Sequence, residues 1–118
     1  MAVRYSASDL RRAATIYSKT YDLDDDFEER TTLQAIADVR GKLVPMPGRE
    51  RMRADQLAET PNAMFVVRRR DWLTEDHVIG IGGKIYEIHS IVDVEGRFRF
   101  QEILISVSEN VYSKIIPL

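Results

Sequence analysis

The stretch from Val78 to Val107 constrains the fold of this chain more than any other stretch. Apolar and polar residues alternate along it as they do in β-strands, and glycines stand where turns are needed. Gly82-Gly83 divides its first two apolar runs. A two-residue type I′ turn needs a positive φ at both central positions, and glycine adopts that φ without strain. Glu95-Gly96 marks a second reversal of the same kind. The stretch therefore predicts an antiparallel meander of three strands.

Alternation of apolar and polar residues extends this β pattern to most of the chain. Between the first two strands, residues 21–32 are polar and acidic and predict a loop. Ser6 followed by Asp9 predicts a single helical turn before the first strand. The predicted fold is mainly β, a small antiparallel β-barrel or sandwich of about six strands with one short helix. The predicted strands span residues 12–20, 33–44, 62–69, 77–82, 84–93 and 97–107.

The one predicted helix covers residues 49–59, between the second and third strands. Side chains of opposite charge at helical spacing support it, and Thr60-Pro61 ends it. Its apolar stripe is narrow, consisting of one leucine and two alanines, and Met52 lies off that stripe. A short helix with so little to bury depends on packing from elsewhere. We therefore expect a partner to complete it, with Met52 as a candidate contact.

Two local irregularities are predicted within the strands. Gly41 interrupts the second strand and indicates either a bulge or a close approach of another backbone. Near Gln101-Glu102 the apolar positions change from even to odd residue numbers. A bulge would produce that change of phase.

Length and composition predict one domain in a reducing compartment. We expect 118 residues to form a single domain, and the chain has no cysteine, which excludes disulfides and thiolate metal sites. No apolar run is long enough for a membrane helix, and the first residues lack a signal-peptide core, so we expect a cytosolic protein without membrane contact. The domain divides into an N-terminal arm (1–11), a barrel (12–107) with a loop-helix excursion (45–61), and a tail (108–118).

No pattern predicts a catalytic, cofactor-binding or metal site. The acidic segment DLDDDFEER spaces its aspartates like a calcium loop, but Phe27 and Leu33 stand where that loop needs glycine and glutamate. We therefore favour a solvated loop over a cation site. The glycines before Lys84 lack the serine or threonine and the helix of a phosphate-binding loop. His77 and His89 are the only histidines, and we interpret both as half-exposed strand residues.

Two features indicate contact surfaces instead. Arg68-Arg69-Arg70 should place Arg68 and Arg70 on one side of a strand, as a solvated or subunit-pairing surface or as a patch that faces nucleic acid. The net charge of −2 argues against a free-standing nucleic-acid binder. Trp72 beside this run is interpreted as a core lid or an interface anchor.

The tail has a cluster of large apolar residues after the last predicted strand of the barrel. Such a cluster usually marks a partner site. We expect it to lie on a neighbouring subunit, and the alternative is that it folds back over its own barrel. The residues are Val111, Tyr112, Ile115 and Ile116.

The order of these segments resembles the bacteriophage head–tail joining family, also called head-closure or head–tail adaptor proteins. Three segments carry the resemblance, which covers Asp9 to Val107: DLRRAATI at the first strand, LVPMPGRE at the corner before the helix, and GGKIYEIHSIVDVEGR in the meander. The last two together are fairly specific. The sequence departs from the family pattern in the first hairpin, where Phe27 and Leu33 stand near the usual turn and tryptophan, and in its longer tail.

The resemblance implies a structural, non-enzymatic virion protein of a tailed phage, prophage or gene-transfer agent. Such proteins form a homo-oligomeric ring, six-fold or twelve-fold, at the virion neck. A portal or adaptor ring lies above it and a tail-completion protein below, and the ring closes the DNA-filled head and docks the tail. The resemblance implies assembly in the bacterial host cytoplasm and non-specific contact with packaged double-stranded DNA in the channel. Arg49, Arg51 and Arg53 are the candidate channel residues. The alternative is a cytosolic small-barrel binding module for a peptide or nucleic acid.

Overall fold

The structure, a computed structural model, describes residues 5–23, 25–46, 61–94 and 99–118. The predicted helix at 49–59 and the turn at Glu95-Gly96 lie outside these residues. The mainly β prediction is confirmed. A 3-10 helix at Ala7–Asp9 precedes seven strands: β1 (Arg12–Leu23), β2 (Glu29–Pro45), β3 (Ala63–Arg68), β4 (Val78–Ile81), β5 (Lys84–Val94), β6 (Phe100–Val107) and β7 (Lys114–Ile116).

Six of the strands close into a barrel in the order β1-β4-β5-β6-β3-β2, and β2 pairs back onto β1. All six neighbouring pairs in this ring are antiparallel. Closure removes the open edges that a flat sheet would present to other chains. β7 lies outside the ring and pairs with β2 in parallel. Within the described residues, no helix has the length and apolar character needed to cross a membrane.

The predicted turns and caps agree with the structure where it describes them. Gly82 and Gly83 have φ values of 58° and 82°, so the type I′ turn between β4 and β5 is confirmed. The predicted helical turn is the 3-10 helix, and the Asp9 carboxylate accepts a hydrogen bond from the Ser6 backbone N–H at 3.0 Å. That hydrogen bond lowers the pKa of Asp9.

The barrel interior is filled by apolar side chains that alternate with outward-facing ones along each strand. Phe65 on β3 belongs to this core and has no exposed surface. A Cβ atom at Gly41 on β2 would lie 2.6 Å from the Val66 carbonyl oxygen and 2.7 Å from Phe65 Cε2. The close approach predicted at Gly41 is therefore confirmed, because only glycine leaves room for the Phe65 ring.

A bulge was predicted near Gln101-Glu102 because the apolar positions there change from even to odd residue numbers. In the structure, this change has a different cause. Gln101 and Glu102 pair regularly with both neighbouring strands, and the irregularity lies in β5 between Ile88 and Ser90. Phe100 faces outward and packs in a second buried cluster with Leu10 and Val66. The N-terminal segment covers this face, so both faces of β6 have buried apolar positions.

The first hairpin is longer than predicted. β1 continues to Leu23 and β2 begins at Glu29, so most of the predicted loop at 21–32 is strand. The register stays regular to the end, with Tyr21 opposite Thr31 and Asp22 opposite Arg30. The sequence predicts a loop here because acidic residues dominate the segment, although Tyr21 and Leu23 alternate with Asp22 as they would in a strand.

Candidate assembly surfaces

An open groove of about 880 Å³ lies on the barrel surface, and we call it the basic groove. It is lined mainly by β1, β2 and the β4–β5 hairpin. The Tyr17 ring packs over Gly80, since a Cβ atom there would lie 2.9 Å from Tyr17 Cε2. Apolar atoms of Leu10, Ile85 and Ile115 also line the groove. It therefore offers apolar contact area as well as charge.

The groove is strongly basic. Its charged lining consists of Arg40, Arg68, Arg70, Lys84 and one acidic residue, Asp38. Asp38 accepts a hydrogen bond from Thr15 Oγ1 at 2.9 Å. In the described part of the chain, none of the four basic side chains forms an ion pair. Two of them instead donate to backbone carbonyls, Arg40 to Arg11 at 3.3 Å and Arg70 to Arg68 at 2.8 Å.

The two groove arginines on β3 and its following loop affect each other. Burial lowers the pKa of Arg70, and the like charge of Arg68 lowers it further. Arg69 instead pairs with Asp71 and, at 3.4 Å, with Asp93. As predicted, Arg68 and Arg70 lie on the same side of the run Arg68-Arg69-Arg70 and both line the groove. No ion pair in the described part of the chain neutralises them, so the groove would attract an anionic group.

The far end of the β1–β2 hairpin, described at residues 21–23 and 25–29, forms a second surface that we call the acidic tip. In the sequence, residues 21–29 include six acidic residues and no basic one. Three large apolar side chains lie among them and are exposed: Tyr21 by 58%, Leu23 by 65% and Phe27 by 82%. Phe27 has a φ of 61°, in the left-handed region that bulky residues rarely adopt. The tip therefore presents apolar side chains that its own fold does not bury.

The tail forms a strand on its own chain. β7 pairs with residues 32–34 of β2, where β2 extends beyond its pairing with β3 and leaves an edge open. This is the fold-back alternative. Tyr112 and Ile116 are half-buried, and the Tyr112 hydroxyl hydrogen-bonds Ser108 Oγ at 2.8 Å. Val111 is 91% exposed and Ile115 48% exposed. A partner role for these four residues remains a proposal.

Of the other predicted contact residues, Trp72 is described and Met52 is not. Trp72 is 43% exposed and packs edge-on against the His77 ring, with 5.7 Å between ring centroids. Trp72 was predicted as a core lid or an interface anchor. At this point of the chain, the residue that is buried in the core is its neighbour Leu73. The candidate channel residues Arg49, Arg51 and Arg53 lie outside the described residues, as does Met52.

The structure brings one histidine and one serine together. His89 Nε2 lies 2.7 Å from Ser106 Oγ across the β5–β6 pair. Neither residue lines the basic groove or the smaller groove of about 310 Å³ beside Tyr21. Among the described residues, no three histidine, aspartate or glutamate side chains are grouped as metal ligands. The surfaces with the most distinct chemistry are therefore the basic groove and the acidic tip.

Comparison with known proteins places this barrel in a family. A family model described as phage head completion protein matches residues 5–108, which include every strand of the barrel. The chain belongs to the phage head completion protein family. This head completion protein is thus a structural protein of a phage head, and it associates with other structural proteins of the virion.

Two solved structures share the fold of this head completion protein. Protein SF1141 from Shigella flexneri 2a is 14% identical, with a TM-score of 0.67 over 91% of this chain and 100% of that chain. A chain in the virion of a native gene transfer agent particle is 16% identical, with a TM-score of 0.59 over 86% of this chain and 97% of that one. No curated protein matches the sequence.

Sequence reasoning found two of the four basic residues of the basic groove and predicted that the acidic tip is exposed to solvent. Arg68 and Arg70 were predicted as a contact surface, whereas Arg40 and Lys84 were not, because they lie on other strands and join the groove only in the folded chain. The tip was predicted as a solvated loop, and its described residues are exposed. The solvated-loop interpretation gave no role to the large apolar residues within the run of acids, such as Phe27.

Proposed function

We propose that this head completion protein forms a homo-oligomeric ring at the virion neck, below the portal, that closes the DNA-filled head and docks the tail. The family match over residues 5–108 carries this proposal. The ring has six or twelve copies and contacts a portal or adaptor ring above and a tail-completion protein below. It assembles in the cytoplasm of the bacterial host.

The arrangement of the surfaces supports a role in assembly. The barrel interior is filled by side chains, so ligands and partners are met on the outside. Two outer surfaces of opposite charge, the basic groove and the acidic tip, lie at different places on an elongated molecule of 55 × 35 × 23 Å. A subunit with such surfaces is suited to contacts with several neighbours at once.

Within this ring, we assign the segment between β2 and β3 to the channel. Arg49, Arg51 and Arg53 are close together in the sequence and would attract DNA phosphates without base specificity. The exposed tail residue Val111, together with Trp72, is available for contact with the portal or the tail-completion protein, whereas Ile115 lines the basic groove and is available to a neighbouring subunit.

Deletion of the gene, followed by complementation, tests the proposed function. Particles without the protein should package DNA, lose it again and carry no tails. The wild-type gene should restore DNA-filled, tailed particles, and the triple variant Arg49→Gln/Arg51→Gln/Arg53→Gln should restore tails but retain DNA in fewer heads. The readout is the fraction of DNA-filled heads in negatively stained particles. Deletion particles that stay filled and tailed would contradict the neck role.

A further inference from the structure

We propose that the acidic tip of one copy of this protein binds in the basic groove of the next copy, so that copies join head to tail. This inference rests on the proposed function, since it names the contact through which the ring would close. The occupant of the groove is thus a second copy of the same chain.

Charge complementarity is the first reason. Arg68 and Arg70 lie side by side in the groove, and no carboxylate among the described residues pairs with them. The tip has the opposite composition, with Asp22, Asp25 and Glu29 exposed at the end of the hairpin. Binding of the tip would bring carboxylates to guanidinium groups, where hydrogen bonds assisted by charge are strongest.

Apolar complementarity is the second reason. The groove includes the Tyr17 ring and the side chains of Leu10 and Ile85 beside its charges. At the tip, Phe27 and Leu23 are exposed apolar side chains next to acids. An aromatic anchor that enters an apolar pocket with charged residues around it is the usual composition of an interface hot spot.

The backbone at Phe27 supports a binding role for the tip. A bulky residue with a φ of 61° carries strain that asparagine or glycine would avoid. Phe27 makes little contact with its own chain, since it is 82% exposed. Residues with strained backbone conformations cluster at sites of function.

The geometry of β1 requires the contact to be between two copies. Tyr17 in the groove and Asp22 at the tip lie on the same strand, so about 3.3 Å per residue separates them by roughly 17 Å. β1 and β2 remain paired along this whole length. The ribbon therefore cannot fold its tip into its own groove. A contact between different surfaces of identical copies is heterologous, and it gives a closed ring when the rotation closes.

Charge reversal on each surface tests this contact. The tip variant is Asp22→Lys/Asp25→Lys/Asp26→Lys/Glu29→Lys, which changes the net charge of residues 21–29 from −6 to +2. The groove variant is Arg68→Glu/Arg70→Glu, which changes the net charge of the groove lining from +3 to −1. Sedimentation velocity at low salt should show wild-type oligomers that dissociate as salt is raised. Each variant alone should lose the oligomers. An equimolar mixture of the two variants should regain them, because each reversed surface then meets a complementary one.

Controls separate the contact from folding. Arg99→Glu and Glu109→Lys reverse exposed charges outside both surfaces, and they should assemble like the wild type. Phe27→Asn should keep or raise the thermal unfolding midpoint and still weaken assembly, which a merely structural role for Phe27 would not do. All variants should keep the circular dichroism spectrum of the wild type.

Three results would overturn the inference. One is a wild-type protein that stays monomeric at millimolar concentration in low salt. Another is a mixture of variants that fails to assemble. The third is a groove variant that assembles normally but no longer binds a double-stranded DNA oligonucleotide, which would assign the groove to nucleic acid. In each case the deletion experiment still tests the neck role separately.

Discussion

Replacing Phe65 with alanine should lower the free energy of unfolding by about 3–5 kcal/mol, the usual cost of emptying a large aromatic site in a core. Phe65 is fully buried, belongs to the apolar core of the barrel and packs against Gly41 on β2. Its neighbours in that core are buried side chains on paired strands, which can relax only partly into the cavity. Small domains are stable by only about 5–15 kcal/mol in total, so the variant should be close to unfolding at 37 °C.

Urea denaturation followed by circular dichroism measures this loss. Val92→Ala is a matched control, because Val92 is 51% exposed on β5 and should change stability little. A Phe65→Ala variant within about 1 kcal/mol of the wild type, on the order of a surface substitution, would contradict the burial of this ring in the core.

The second large effect is expected at Gly41, where alanine should cost about 1–3 kcal/mol or more. The new Cβ atom would lie 2.6 Å from the Val66 carbonyl oxygen and 2.7 Å from Phe65 Cε2. The ring could shift only by disturbing a filled interior, and the carbonyl oxygen is fixed in the β2–β3 pairing. β2 and β3 would therefore have to separate locally.

A double-mutant cycle checks the cause of this effect. Gly41→Ala should cost less in a Phe65→Ala background than in the wild type, because one of the two clashing groups is then absent. The free-energy cost that remains in that background should come from the clash between the new Cβ atom and the Val66 carbonyl oxygen. If the free-energy costs of the two substitutions were strictly additive, the new methyl group and the Phe65 ring would not be in contact.

The meander was predictable because its signals are local. Gly82 and Gly83 occupy positions that need a positive φ, and β-branched residues alternate on both sides of them. The close approach at Gly41 was predictable for the same reason, since a glycine within a strand weakens it and usually stands where a bulge or a close neighbour requires it. In both cases the signal is a glycine within a local β pattern, although the groups that approach Gly41 belong to β3 and could not be identified from the sequence.

The features that sequence reasoning missed depend on contacts distant in sequence. β6 has buried residues on both faces because Leu10 covers Phe100 from outside the barrel. β7 was not predicted as a strand on β2, because nothing in the tail indicates that β2 leaves an edge open there. Arg40 joins Arg68 in the basic groove only through the folding of strands that lie far apart in sequence.

The most direct measurement for the central claim is a cryo-electron microscopy reconstruction of the neck of the particle that contains this protein. We predict a closed ring of copies below the portal, with the acidic tip of each copy in the basic groove of its neighbour and residues 45–61 toward the channel. A reconstruction that places the protein away from the neck, or as isolated copies without mutual contact, would contradict the proposed function.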